Sequence, residues 1–193
     1  MDELNIYQVV GWANSIALSL VFICNRKDAH RAWLVIALLT AKALNVILYN
    51  YIPRNVITPQ VFYSLYDLFV ILALVHRREL CLLLSKPLLL KTIVGRFAKG
   101  VLKSNKVTKQ ELVIRFLFTA SIVVNVLMIG EHLLRHPYFI GLPESMALNV
   151  RFIYDHYSQV KLVIMSAITL GLFTMTIDGW VIRQLEKRKA LGA

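Results

Sequence analysis

The stretch LVIRFLFTASIVVNVLMIGEHLL, residues 112–134, decides the fold class of this chain. A helix needs about 20 mainly apolar residues to cross a hydrocarbon core of about 30 Å. Four further runs approach or reach that length, at residues 6–24, 33–52, 59–76 and 162–182. The run at residues 59–76, the third of the five along the chain, is the shortest. The sequence therefore predicts an all-α, multi-pass membrane helix bundle of about five transmembrane helices, forming a single domain over residues 1–193.

The composition separates a membrane protein from the other classes. The chain is 58% hydrophobic and 17% charged, yet its formal net charge is +11. Soluble domains carry about 25% charged residues, and disordered chains are far less apolar. A nucleic-acid-binding protein of this charge would not be so hydrophobic, so we expect no nucleic-acid partner. A membrane protein with its basic residues on one side fits both values.

The distribution of Lys and Arg predicts how the chain is threaded. With the N-terminus outside, 16 of the 22 cations fall in inner segments and four in outer ones, as the positive-inside rule requires. All eight tyrosines then lie in the outer half. We expect an N-out, C-in protein of a plasma membrane or bacterial inner membrane. Cys24 and Cys81 lie on the inner side and are expected to be reduced.

The inner segment between the third and fourth spans predicts a basic amphipathic helix at residues 87–103. Its sequence, PLLLKTIVGRFAKGVLK, places an apolar stripe opposite four cations, which are Lys91, Arg96, Lys99 and Lys103. Such a helix lies in the membrane interface and binds anionic lipid headgroups. A contact with a cytoplasmic partner or nucleic acid, and a solvated loop, are the alternatives. Thr108 and Glu111 then predict a capping box that starts the fourth span.

Four ionisable residues fall within or at the edge of the predicted spans. Lys42 and Asp67 lie at similar heights in the second and third spans, and Arg115 and Asp178 are matched across the fourth and fifth. A charge within a membrane is a functional candidate by default, and for Lys42 and Asp67 the function would be an ion or proton path. Each pair is also explained by simple neutralisation that fixes the register of the helices, and Arg115 and Asp178 could instead snorkel to the interface. The sequence leaves these interpretations open.

Small residues recur every four positions on the first span, at Gly11, Ser15 and Ser19. This spacing lets two helices approach closely. Packing against another span and packing against a second copy both fit, so a homo-oligomer or a membrane-protein complex remains open.

Three histidines on the predicted outer side form a weak candidate metal site. His132 and His136 share a helix face, and His156 lies farther along the chain. A zinc site needs three or four ligands, and the surrounding zincin pattern is missing. We therefore expect no metal and no cofactor. A short outer helix is also predicted from Pro143 to Tyr157.

No catalytic motif indicates an enzyme. The sequence has no phosphate-binding glycine loop, no GxSxG and no CxxC. We expect a non-enzymatic scaffold, accessory subunit or membrane-remodelling factor that binds lipid through its basic helix. The alternative is a small channel, transporter or pore-former that uses Asp67 and Lys42. A membrane enzyme with an outer histidine site is a third, weaker hypothesis.

Overall fold

The computed structural model describes residues 3–25, 28–53, 55, 57–86, 91–103 and 107–191. Within these ranges the regular structure is entirely helical, with short 3₁₀ turns at Tyr49–Tyr51, Pro137–Ile140 and Glu144–Met146. The α-helices are α1 (Glu3–Asn25), α2 (Ala29–Leu48), α3 (Ile57–Val75), α4 (Arg77–Leu84), α5 (Ile93–Lys103), α6 (Lys109–Arg135) and α7 (Phe152–Leu191).

Five of these helices, α1, α2, α3, α6 and α7, are long and apolar enough to cross a membrane. This confirms the predicted all-α class and the five candidate spans. The largest error is at the last one, because α7 begins at Phe152, ten residues before the predicted start. The separate outer helix predicted from Pro143 to Tyr157 is wrong. That region holds one 3₁₀ turn and a non-helical stretch before α7 starts.

The five spans form a closed ring in the order α1, α7, α6, α3, α2. Hydrogen bonds give the direction of each helix. The Asn14 amide donates to Thr169 and the Asn25 amide to the Met175 carbonyl, so α1 and α7 run parallel. The other neighbours are antiparallel. We call the end formed by the start of α2 and the end of α3 the basic end, because α4 and α5 lie there, and we call the other end the opposite end.

The outward surface of the ring is apolar. Large side chains such as Val46, Phe116 and Val163 remain about 70% exposed in the isolated chain, at 69%, 71% and 68%. A soluble monomer rarely shows apolar patches on this scale. Because α6 has 27 residues and rises about 40 Å, it is longer than a bilayer core of about 30 Å is thick. The surface and the lengths together fit a lipid environment.

A helical hairpin of α4 and α5 covers the basic end. The sequence did not predict α4, whose eight residues are too few for a strong pattern. The small and buried face of α5, with Gly95, Ala98 and Val101, packs on the bundle, and Phe97 stacks on Trp33 with ring centroids 6.5 Å apart. Part of the stripe that was predicted to face lipid therefore packs on protein. Residues 87–90 of the predicted helix lie outside the described residues.

Candidate functional site

A cavity of about 440 Å³ lies inside the ring and is lined by all five spans. It extends from the middle of the bundle toward the opposite end. Three of its lining residues are charged, namely Lys42, Asp67 and Lys161. The remaining polar lining residues are Asn14, Asn45, Tyr63, Tyr66, Ser121 and Tyr157. The other wall residues are glycine and apolar side chains, so charged, polar and apolar groups share the wall of the cavity.

Asp67 is the buried carboxylate of this cavity and is only 5% exposed. The Ser121 hydroxyl donates to its Oδ2 atom at 2.5 Å, and Lys161 Nζ lies 3.8 Å from the same oxygen. Lys161 in turn donates to Ser121 Oγ at 2.5 Å. One hydroxyl therefore joins the carboxylate to the ammonium group, and α3, α6 and α7 meet at this point.

The predicted pairing of Lys42 with Asp67 is not the one in the structure. Lys42 donates a short hydrogen bond to the hydroxyl of Ser15 on α1, and the ion pair of Asp67 is with Lys161. Matching the heights of charged residues along the membrane between consecutive spans does not find this partner. In the ring, α3 packs on α6 and α6 on α7, which brings a lysine from the far end of the chain next to Asp67.

Lys161 is the site residue that sequence reasoning missed. It was assigned to the outer connection because the fifth span was predicted to begin at Leu162. The signal that would have found it is the period of four through Tyr157, Lys161 and Met165, which continues the helix backward. All three residues line the cavity.

A second polar group borders the cavity on the side of the opposite end. The Tyr157 hydroxyl donates to the Gln60 amide oxygen at 2.5 Å and lies 2.9 Å from the amide oxygen of Asn125. Gln60 and Asn125 are both buried. Beyond them, the Glu131 carboxylate accepts the backbone N–H groups of Ile153 and Tyr154 at the start of α7. Hydrogen-bonded polar groups therefore continue from the cavity toward the opposite end.

The basic end contains a different ionic group, which we call the Glu111 cluster and which comprises His30, Arg77, Glu111 and Arg115. Glu111 is fully buried, and its carboxylate lies 2.8 Å from His30 Nε2 and 3.0 Å from Arg77 Nη1. Arg115 also pairs with it from one turn along α6. The cluster links α2, α4 and α6, and none of its four residues lines the cavity.

Two further expectations are corrected at this end. Arg115 was expected to pair with Asp178, but it binds Glu111 and donates to the Leu74 carbonyl at 2.6 Å, while Asp178 accepts from Gln110. The capping box is half formed. Thr108 accepts the Glu111 N–H at 3.2 Å, as predicted, but the Glu111 side chain turns to the cations because they attract a carboxylate more strongly than a backbone N–H.

The small residues of α1 do not form one packing stripe within the chain, and their packing against a second copy stays a hypothesis. Ser15 and Ser19 donate to backbone carbonyls one turn earlier, and Ser19 is exposed. Gly11 lines the cavity. The main contact of α1 is with α7, where Asn14 donates to Thr169, and Ala17 and Val21 of α1 are buried in the core.

The predicted outer histidines are not brought together as one group. His132 is buried and its ring lies 4.7 Å from that of His136. His156 sits on α7, where its Nδ1 atom donates to the Phe152 carbonyl at 2.8 Å. Across the part of the chain that the structure describes, no three histidine, cysteine or acidic side chains approach as metal ligands would.

The four predicted lipid-binding cations are all exposed: Lys91, Arg96, Lys99 and Lys103. Ile93 and Val94 on the same hairpin are 78% and 50% exposed. The nearby Cys81 is buried, and this burial raises the pKa of its thiol more than the positive charge of Arg77 lowers it. Cys24 is half-buried and lies at the same end.

No family model matches the chain, and neither a curated protein nor a solved structure shows significant similarity to it.

Proposed function

We propose that this protein is a non-enzymatic membrane protein of the carrier type, which binds a ligand in the cavity lined by its five spans. The observation that carries the proposal is the cavity of about 440 Å³ in which Lys42, Asp67 and Lys161 meet. Ligand sites have volumes of about 300–1,000 Å³, apolar walls and a few convergent polar groups. This cavity has all three properties.

Transport or carriage is favoured over conduction. The side chains that line the cavity are joined at its middle by the Asp67–Ser121–Lys161 contact and toward the opposite end by Tyr157 with Gln60. A conducting path would have to cross the whole bundle, whereas the cavity extends from its middle toward the opposite end and none of the Glu111 cluster residues lines it. A ligand site near the middle of the bilayer is typical of carriers. The sequence hypothesis that Asp67 and Lys42 act in transport is retained, with Lys161 added.

Native mass spectrometry of the protein purified in mild detergent tests this function. We expect a bound small molecule on the wild-type protein and its loss in the double variant Lys42→Met with Lys161→Met, which removes both cations that line the cavity. The matched control neutralises Lys91, Arg96, Lys99 and Lys103 instead, and it should keep the adduct. Spectra without any adduct that depends on the cavity residues would contradict the proposal.

A second candidate function is that of a scaffold or accessory subunit that binds anionic lipid through α5. The exposed cations of the hairpin, next to the exposed Ile93 and Val94, favour it. Each basic residue near an anionic surface contributes about 1 kcal/mol. We propose that this surface faces the inner leaflet, as the positive-inside rule predicts.

Reconstitution into vesicles tests this second function separately. The wild-type protein should bind added vesicles rich in phosphatidylglycerol more strongly than vesicles of phosphatidylcholine, and the four-charge variant should lose that preference. The cavity variant Lys42→Met is the control and should keep it. Equal binding of both vesicle types by the wild-type protein would eliminate the lipid-binding role.

A further inference from the structure

We infer that the cavity selects an organic anion with an apolar body, such as a carboxylate or a phosphate monoester, and that Lys42 contacts its anionic group. This inference rests on the proposed ligand-binding function and names the class of ligand.

The charges of the cavity favour an anion. Among the described lining residues, Lys42 and Lys161 are positive and Asp67 is negative, so the site carries one net positive charge. Asp67 is already engaged by Lys161 and Ser121. An unneutralised ammonium group inside an apolar protein is costly, and a ligand anion removes that cost. A cationic ligand would add to the excess charge instead.

Lys42 is the cation that remains for the ligand. Its described hydrogen bond is to the neutral hydroxyl of Ser15, whereas Lys161 has a carboxylate beside it. Asn45 lies one turn farther along α2 and also lines the cavity, so its amide can add a donor beside the ammonium group. Two donors at one wall match the needs of a carboxylate or phosphate oxygen.

The size and the walls require an apolar body on that anion. The cavity has room for about 15 water-sized groups at about 30 Å³ each. A free inorganic ion would leave most of this space empty. Apolar side chains form most of the wall on α6 and α7, and they include Phe118, Ile164 and Ile168. A fatty carboxylate from the bilayer and a soluble aromatic carboxylate share the chemistry that fits.

Binding of matched probes to the protein in phosphatidylcholine nanodiscs tests the ligand class. We expect 2-naphthoate to bind at least tenfold more tightly than its neutral isostere 2-naphthamide. Decanoate distinguishes the two sources: tighter binding of decanoate indicates a membrane lipid anion, and tighter binding of 2-naphthoate indicates a soluble one. Inorganic phosphate that binds as tightly as either would overturn the requirement for an apolar body.

Two substitutions should act in opposite directions. Lys42→Met should weaken 2-naphthoate at least tenfold and leave 2-naphthamide unchanged, while Lys42→Arg should keep most of the binding. Asp67→Asn should strengthen 2-naphthoate at least threefold, because Lys161 then becomes a second free cation. A merely structural role for both residues would weaken binding in both variants. Lys109→Met, at an exposed position at the start of α6, is the control.

Equal binding of the acid and the amide, or full binding by Lys42→Met, would overturn the inference about the anion. The ligand-binding function itself would survive that result if the cavity-dependent adduct is still present in the mass spectrum. Loss of the adduct together with no binding of any probe would overturn both.

Discussion

Two buried carboxylates of this protein have opposite surroundings. Glu111, at the basic end, is fully buried and pairs with His30, Arg77 and Arg115, and none of these residues lines the cavity. Asp67, near the middle of the bundle, has one ammonium group at 3.8 Å and borders an open volume with a second lysine. The first arrangement joins helices that pack closely. The second leaves space and charge for something else, so the space beside a charge separates a structural role from a functional one.

The largest loss of stability is expected on removing the charge of Glu111. In Glu111→Gln, Arg77 and Arg115 lose their buried carboxylate, which costs about 3–5 kcal/mol of unfolding free energy. Thermal unfolding in mild detergent measures the loss. Glu79→Gln is the matched control, because Glu79 is a largely exposed carboxylate whose ion pair within the described part of the chain is with His76. Equal effects of the two variants would remove the structural role of the Glu111 cluster.

The same variant should release the hairpin and expose Cys81. Cys81 lies on α4 beside Arg77, is buried, and has a raised thiol pKa, so it should react slowly with maleimide in the wild-type protein. Glu111→Gln should speed its labelling several-fold, as followed by intact mass in a Cys24→Ala background. Asp67→Asn should leave the rate unchanged. An equal increase in both variants would mean that the two sites are not independent.

A pair of glycines compares the packing of the two regions directly. A Cβ on Gly179 would collide with the Asn25 side chain, whereas a Cβ on Gly11, at the cavity, meets nothing within 4 Å. Gly179→Ala should therefore cost about 1–3 kcal/mol through overpacking. Gly11→Ala should be neutral or stabilising by up to about 1 kcal/mol, because alanine favours a helix. Melting temperatures of the two variants check this, and a loss in Gly11→Ala would show that the cavity region is closely packed as well.

Removing the charge of Asp67 should cost less than removing that of Glu111. In Asp67→Asn the amide keeps the hydrogen bond to Ser121, and Lys161 retains its contacts with the Ser121 hydroxyl and carbonyl. We expect a loss of about 1 kcal/mol. Denaturation of Asp67→Asn and Glu111→Gln under the same conditions gives the loss of unfolding free energy in each variant. A loss as large as that of Glu111→Gln would place Asp67 among the structural residues and weaken its functional assignment.

The smallest effect is expected at the surface of α5. Replacing Lys91, Arg96, Lys99 and Lys103 with Gln should change stability in neutral detergent by less than about 1 kcal/mol, because all four side chains are exposed. The melting temperature checks this. A large loss would indicate that these cations hold the hairpin on the bundle and do not simply face the membrane.

The apolar runs alone determined the helical class and the five candidate spans, because a stretch of about 20 apolar residues has few other stable arrangements. Capping by Thr108 could also be predicted from the sequence, since it depends on residues three positions apart. The start of α7 could not be predicted, because Lys161 and the polar residues around it have the composition of a loop.

Which charges meet depends on the tertiary fold. Height along the membrane can be counted from the sequence, but the order of helices around the ring cannot, and that order sets the partners. In this order Asp67 pairs with Lys161 instead of Lys42, and Arg115 pairs with Glu111 instead of Asp178. The cavity has the same origin. It exists because five helices close around a volume that their side chains do not fill, and no local pattern records that volume.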